Sequence, residues 1–190
     1  MCGRYYLEID EKELQEIVRE VEKKTTGYPE QLRLKTGGEI FPTDTVPVQT
    51  GIGRYQPMKW GFIGFDGRPV INARSETAPE KPMFKGAMQA CRCLIPAGGY
   101  YEWRKEGSKK IKYRLFIPGS MMYFAGCWRM EKNLGLYTFV ILTQPAAESV
   151  AMIHDRMPVI IPHSRIDAWL NESPDAMREA VTNLSISRVS

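Results

Sequence analysis

From Ile40 onward the chain is a succession of short apolar runs, and this most constrains its fold. The runs cover residues 46–48, 59–65, 70–73, 91–96, 100–103, 112–116, 122–128, 136–143 and 158–161. Each is too brief for a core helix, and Gly, Pro or Asn separates most of them, which is the pattern of strands and turns. The segments with helical character lie between or outside these runs. The first follows Asp10 and Glu13, which have capping-box spacing. There Leu14, Ile17, Val18 and Val21 recur at helical intervals, predicting a helix that ends near Lys24. Residues 80–89, 146–151 and 165–170 read as short helices, residues 3–9 as a first strand, and residues 25–38 as a polar loop. Many short strands with peripheral helices predict an α+β fold, a mainly antiparallel, barrel-like sheet in a single domain over residues 1–190. The polar tail after Glu172 is expected to be poorly ordered.

Composition narrows the class of protein. A charged fraction of 25% and a hydrophobic fraction of 43% are ordinary for a globular chain. No segment reaches the ~18 apolar residues of a membrane helix, and no secretory signal is evident, so no membrane partner and a cytoplasmic location are expected. The net charge of +4 permits a polyanionic partner without demanding one. Cys91, Cys93 and Cys127 read as reduced, buried small residues. Cys91 and Cys93 form a C-x-C pair without a second pair, and the histidines are His154 and His163, so neither a metal site nor a cofactor is expected.

The fourth cysteine, Cys2, directly follows Met1. A residue this small permits removal of the initiator methionine, which would leave an α-amine and a thiol on adjacent carbons. Their ordinary pKa values, about 8 and about 8.5, leave both partly deprotonated near neutrality. Such a 1,2-aminothiol can attack an acyl carbon as a terminal nucleophile, or condense with an aldehyde to close a thiazolidine ring.

Other residues group into candidate sites, each with a structural alternative. Asn72 and Arg74 point the same way on a strand, as an orienting amide and a phosphate clamp or as a polar strand end. Glu102 alternates with Tyr101 and Trp103. It is either a carboxyl raised by aromatic surroundings, fit to move protons, or an edge glutamate on a solvated face. His154 and Arg156, in His-Asp-Arg-Met-Pro, are an acid/base beside an anion clamp, or a structural histidine. The basic run from Arg104 to Lys112 is a hairpin tip that touches phosphates or merely faces solvent. Trp60 and Pro42 either stack against bases or pack in the core.

In sequence order the chain holds Met-Cys-Gly-Arg-Tyr, Asn-Ala-Arg-Ser-Glu-Thr, Arg-Cys-Leu-Ile-Pro-Ala with Tyr-Glu-Trp, and His-Asp-Arg-Met-Pro. This ordered set resembles the SOS response-associated peptidase family of abasic-site-processing proteins, from Cys2 to about Leu170. The resemblance implies binding of single-stranded DNA at abasic sites and a covalent thiazolidine link that shields the lesion, in a DNA-damage response. It implies a catalytic set of Cys2, Asn72, Glu102 and His154, DNA contacts from Arg4, Arg74 and Arg156, and Trp103 beside the site. The family name adds peptidase activity toward residues preceding the cysteine, in a chain expected to act as a monomer. The competing reading is an N-terminal-cysteine amidohydrolase acting on small amides. A nucleic-acid-binding module without chemistry would leave Cys2, Glu102 and His154 without a role.

Overall fold

The computed structural model describes residues 2–8, 12–25 and 33–189. In chain order the elements are β1 (Tyr5–Leu7), α1 (Lys12–Thr25), β2 (Gly38–Ile40), β3 (Thr45–Gly51), β4 (Arg54–Trp60), β5 (Phe62–Ile63), β6 (Pro69–Val70) and β7 (Asn72–Arg74). There follow α2 (Pro82–Ala90), β8 (Arg92–Ala97), β9 (Gly99–Glu106), β10 (Lys109–Phe116), β11 (Met122–Glu131), β12 (Leu136–Pro145) and α3 (Glu148–Ala151). Strands β13 (Arg156–Pro158), β14 (Ile160–Ile161) and β15 (Ser185–Arg188) complete the set.

Two sheets organise most of these strands, and β5 pairs with β6 in a small third one. Strands β12, β4, β3, β8 and β11 pair in that order, and the β11–β12 pairing closes them into a five-stranded barrel. All its pairings are antiparallel except β12 with β4. Closure leaves no free sheet edge along this circuit. The apolar residues of these strands turn inward, and Trp60, Leu94, Phe124 and Phe139 are fully buried. Gly126 is required at the β8–β11–β12 crossing. A Cβ there would lie 2.6 Å from both Ile95 Cδ1 and the Val140 carbonyl oxygen.

The second sheet has the order β15-β10-β9-β1-β2 and is antiparallel throughout. Its inner face carries Tyr5, Leu7, Ile40, Tyr100 and Leu115 into the same core. Gly98 and Gly99 make the passage from β8 to β9. Added Cβ atoms there would meet the Tyr6 ring at 2.7 Å and the Tyr6 hydroxyl at 2.3 Å. The missing side chains let Tyr6 lie across the turn and donate to the Gly98 carbonyl at 2.7 Å.

Helix α1 lays Ile17 and Val21 against Tyr55 and Leu34 in a separate small cluster. Asp10, the side chains of Glu13 and Leu14, and residues 26–32 of the loop expected over 25–38 lie outside the described residues. The expected run at 59–65 divides at Gly61, whose φ of +117° breaks β4 from β5. Likewise 158–161 divides into β13 and β14, which pair with β12 and β11 respectively. The segment expected as a helix over 165–170 forms a 3-10 turn at His163–Arg165 and a wide turn at Ala168–Glu172. The tail after Glu172 is a correction. It forms a 3-10 turn at Pro174–Glu179 and then β15, whose backbone pairs with the open edge of β10 from Tyr113 to Phe116. Its polar residues hid a strand held by main-chain hydrogen bonds on one edge. No helix among the described residues is long and apolar enough to cross a membrane.

Candidate functional site

The site forms where the N-terminus meets the junction of the two sheets. Pairing of β1 with β9 sets Tyr5 opposite Tyr100, and the Tyr101 N–H donates to the Arg4 carbonyl at 2.9 Å. Continued one step, this pairing brings the start of the chain beside Glu102. Cys2 is fully buried there. From the opposite side β7 runs parallel to β12, with Asn72 opposite Ile141, and the Asn72 side-chain amide donates to the Cys2 carbonyl at 2.9 Å. An element near the middle of the sequence thus fixes the backbone of the second residue.

Glu102 is 4% exposed and faces inward with Tyr100, while Tyr101 and Trp103 face out. Burial raises its carboxyl above the ordinary carboxylate range, and the nearby His154 opposes that rise. Burial likewise pushes the Cys2 thiol far up. The Glu102 charge adds to that shift, and a hydrogen bond from the Arg4 backbone N–H opposes it. Tyr5 and Tyr100 wall this space, and their hydroxyls, with the Asn72 side-chain oxygen Oδ1, are buried without a hydrogen-bond partner among the described residues. Buried polar atoms left open in this way are costly unless something polar enters to meet them.

His154 lies half-buried between α3 and β13. Its Nδ1 accepts from the Arg156 backbone N–H at 3.0 Å and lies 2.8 Å from the largely exposed Asp155 carboxylate. Arg156 follows, with its side chain 12% exposed. Its guanidinium grips Glu76 through two bonds of 2.5 and 2.8 Å and donates to the Thr143 carbonyl at 2.6 Å. The Arg156 hydrogen bonds hold the Glu76 carboxyl down to about 2.

Arg74 is exposed and has no acidic partner among the described residues, so it is free to meet an anion. The Arg4 guanidinium lies over the Phe41 ring at 4.3 Å and the Trp103 ring at 4.9 Å, and pairs with Glu39 at 3.3 Å. Trp60 is a correction. It is 0% exposed, stacks on Phe139 at 6.4 Å and meets Tyr5 edge-on at 5.3 Å, so no base can reach its ring. Its indole N–H donates to the Ile71 carbonyl at 3.0 Å, bracing the strand that presents Asn72. Pro42 is half-buried, and the exposed ring in its loop is that of its neighbour Phe41. Phe41, Glu39 and Glu76 were not picked out from the sequence. Only Glu76 had a signal, since it lies within the Asn-Ala-Arg-Ser-Glu-Thr run. Phe41 and Glu39 are joined to Arg4 by strand pairing alone. Cys93 and Cys127 are buried in the core as expected, while Cys91 is half-buried at the end of α2.

A family model described as SOS response associated peptidase (SRAP) matches residues 1–189. The chain belongs to the SOS response-associated peptidase family. It is similar to the abasic site processing protein YoaM of Bacillus subtilis, 40% identical over 139 residues that cover 66% of this chain and 61% of that protein. The abasic site processing protein YedK of Escherichia coli is 33% identical over 121 residues, covering 61% of this chain and 54% of its own length. The chain thus spans about three fifths of the length of the curated relatives it matches. A crystal structure of a Bacteroides thetaiotaomicron protein superposes with a TM-score of 0.78 at 23% identity, covering 100% of this chain and 92% of that one. That likeness shows the fold is shared.

Proposed function

We propose that this SOS response-associated peptidase family member binds abasic sites in single-stranded DNA and joins them covalently through Cys2 once Met1 is removed. The observation that carries the reading is the Asn72 hydrogen bond to the Cys2 carbonyl, which holds the residue that becomes a 1,2-aminothiol on Met1 removal beside a carboxyl with a raised pKa. The names of the relatives, abasic site processing proteins, support the substrate class.

The chemistry follows from these groups. A ring-opened abasic sugar carries an aldehyde. The Cys2 amine adds to it, giving a carbinolamine. Glu102, whose acid form burial favours, gives its proton to the carbinolamine hydroxyl, and water leaves as the iminium forms. Glu102 is now a carboxylate and takes the proton of the Cys2 thiol as the sulfur closes on the iminium carbon. The products are a thiazolidine and one water, with Glu102 again protonated. His154 assists sugar ring opening, and Arg4 and Arg74 hold the flanking phosphates. Arg156 joins them when a phosphate displaces Glu76. Fixing the aldehyde beside the amine is itself a large part of the acceleration.

The test is incubation with single-stranded DNA containing one abasic site, followed by a denaturing gel and intact-mass measurement. The expected result is a band that survives boiling, formed only by protein lacking the Met1 mass. An amide nitrogen is delocalised into its carbonyl and cannot add to an aldehyde usefully. A stable adduct on protein retaining Met1, or no adduct at all, would overturn the reading.

A further inference from the structure

The outer face of the second sheet is chemically unlike the rest of the surface. Alternation along β9 puts Tyr101, Trp103 and Lys105 on this face. Pairing with β10 sets Arg114 opposite Tyr101, Lys112 opposite Trp103 and Lys110 opposite Lys105. The face therefore consists of three successive rows, each with at least one cation, and the first two each with an aromatic ring. Rows two residues apart along a strand are separated by about 7 Å, close to the phosphate spacing of an extended single strand.

The cations are held in place. Lys112 lies 3.9 Å from the centre of the Tyr101 ring and pairs with Glu39. Arg114 lies 4.4 Å over the Tyr6 ring, donates to its hydroxyl at 2.5 Å and pairs with Glu8 at 2.6 Å. Tyr6 in turn packs against Tyr101 at 5.3 Å. Seating long side chains on rings fixes their charges, so little rotamer freedom remains to be lost when an anion arrives. Lys105 and Lys110, at the hairpin end, are exposed and have no acidic partner among the described residues. The ladder starts at the site itself, because Arg4 lies against Trp103 and Glu102 is on the reverse side of the same strand.

We propose that this face is a track for one flank of the DNA strand. The strand leaves the lesion site past Arg4 and Trp103 and runs over the rows of β9 and β10 toward Lys105 and Lys110. Phosphates meet the cations while unpaired bases lie against the half-buried rings of Tyr101 and Trp103, the usual pairing of contacts in single-strand binding. The proposal rests on the reading above that the site takes a single DNA strand. Because the sheet lies on one side of the site, only one flank reaches it.

The test uses the full chain and three single-stranded oligonucleotides with an abasic site: a short one, one lengthened on the 5′ side and one lengthened on the 3′ side. Affinity is read by fluorescence anisotropy over a salt series. Lengthening on one side alone should tighten binding, steepening the logarithmic salt slope by about 2 if three phosphates are engaged, at about 0.7 each. The double variant Lys105→Ala/Lys110→Ala should flatten the slope for that long strand by about 1.4 and leave the short strand unaffected. Equal gains from both flanks, an equal loss on the short strand, or the same gain when the flank is annealed to a complement would overturn the track. Failure of the lesion reading looks different: no adduct forms with the short oligonucleotide, while an undamaged single strand still reports Lys105 and Lys110 through its salt slope.

Discussion

Glu102 is the residue on which the proposed chemistry and the physics of the fold make opposed demands, so Glu102→Gln is the most informative substitution. The amide has nearly the volume of the carboxyl and fits the same 4%-exposed position, but it cannot give and retake a proton. General acid–base catalysis contributes roughly 10²–10⁴-fold, equivalent to about 2.7–5.4 kcal/mol of barrier. Cross-linking by Glu102→Gln should slow by that factor, with affinity for abasic DNA unchanged. Wild-type cross-linking should give a bell-shaped pH profile, rising as the Cys2 amine loses its proton and falling as the acid form of Glu102 is lost. The variant should keep the rise and lose the fall.

The same substitution should stabilise the fold, with a sign set by linkage. The folded protein raises the Glu102 carboxyl above its unfolded value, so in the window between the two the native state binds more protons than the unfolded chain. Stability therefore falls as pH rises through that window and stays lowered above it. Below the unfolded value, about 4.3, wild type and Glu102→Gln should melt alike in this respect. Toward neutrality the variant should melt higher. Single-turnover gels and thermal melts over a pH series measure both effects. If affinity and rate dropped equally, or if the variant melted lower at neutral pH than at acid pH relative to wild type, Glu102 would be a positioning residue with a satisfied charge.

Other substitutions separate the remaining roles. Cys2→Ala retains an α-amine but no thiol, so it should give no heat-stable adduct, while borohydride should trap its Schiff base. A wild-type yield of heat-stable adduct would refute the assignment. Arg74→Ala should weaken binding to all sequences alike and reduce the salt slope by about 0.7, and a change in base preference instead would point to contact with a base. Trp60→Ala should lower stability by about 3–5 kcal/mol, the usual cost of emptying a buried aromatic site. A urea midpoint corresponding to a loss below about 1 kcal/mol would contradict the core role of Trp60.

The strands were legible because short apolar runs and Gly, Pro and Asn punctuation are local signals. The closed barrel was not, because closure depends on which edges of β11 and β12 meet, 126–131 against 136–141, and on the parallel seam of β12 with β4. The site was legible as separate motifs, and the structure explains how they assemble: Asn72 on β7 bonds the Cys2 carbonyl, Glu102 on β9 lies beside Cys2, and His154, between α3 and β13, lies near Glu102. Burial was the poorest guide from sequence. Trp60 has the composition of a stacking residue, yet its position opposite Phe139 in the β4–β12 seam puts it inside. Conversely β15 looked like a polar tail because an edge strand needs only its backbone and one packed side chain, here Ile186.

In the proposed reaction, the burial of Cys2 and Glu102 sets an order of bond formation. A thiol with an ordinary pKa would compete with the amine for the aldehyde, giving a labile hemithioacetal first. Burial keeps the Cys2 thiol protonated well beyond neutral pH, so sulfur is a poor nucleophile until a base lies beside it and an iminium lies in front of it. Glu102 becomes that base only after it has given its proton to the leaving hydroxyl. The raised pKa values of Cys2 and Glu102 are therefore two halves of one device. On that proposal the amine acts first, and its action creates both the carboxylate and the electrophile that the thiol requires.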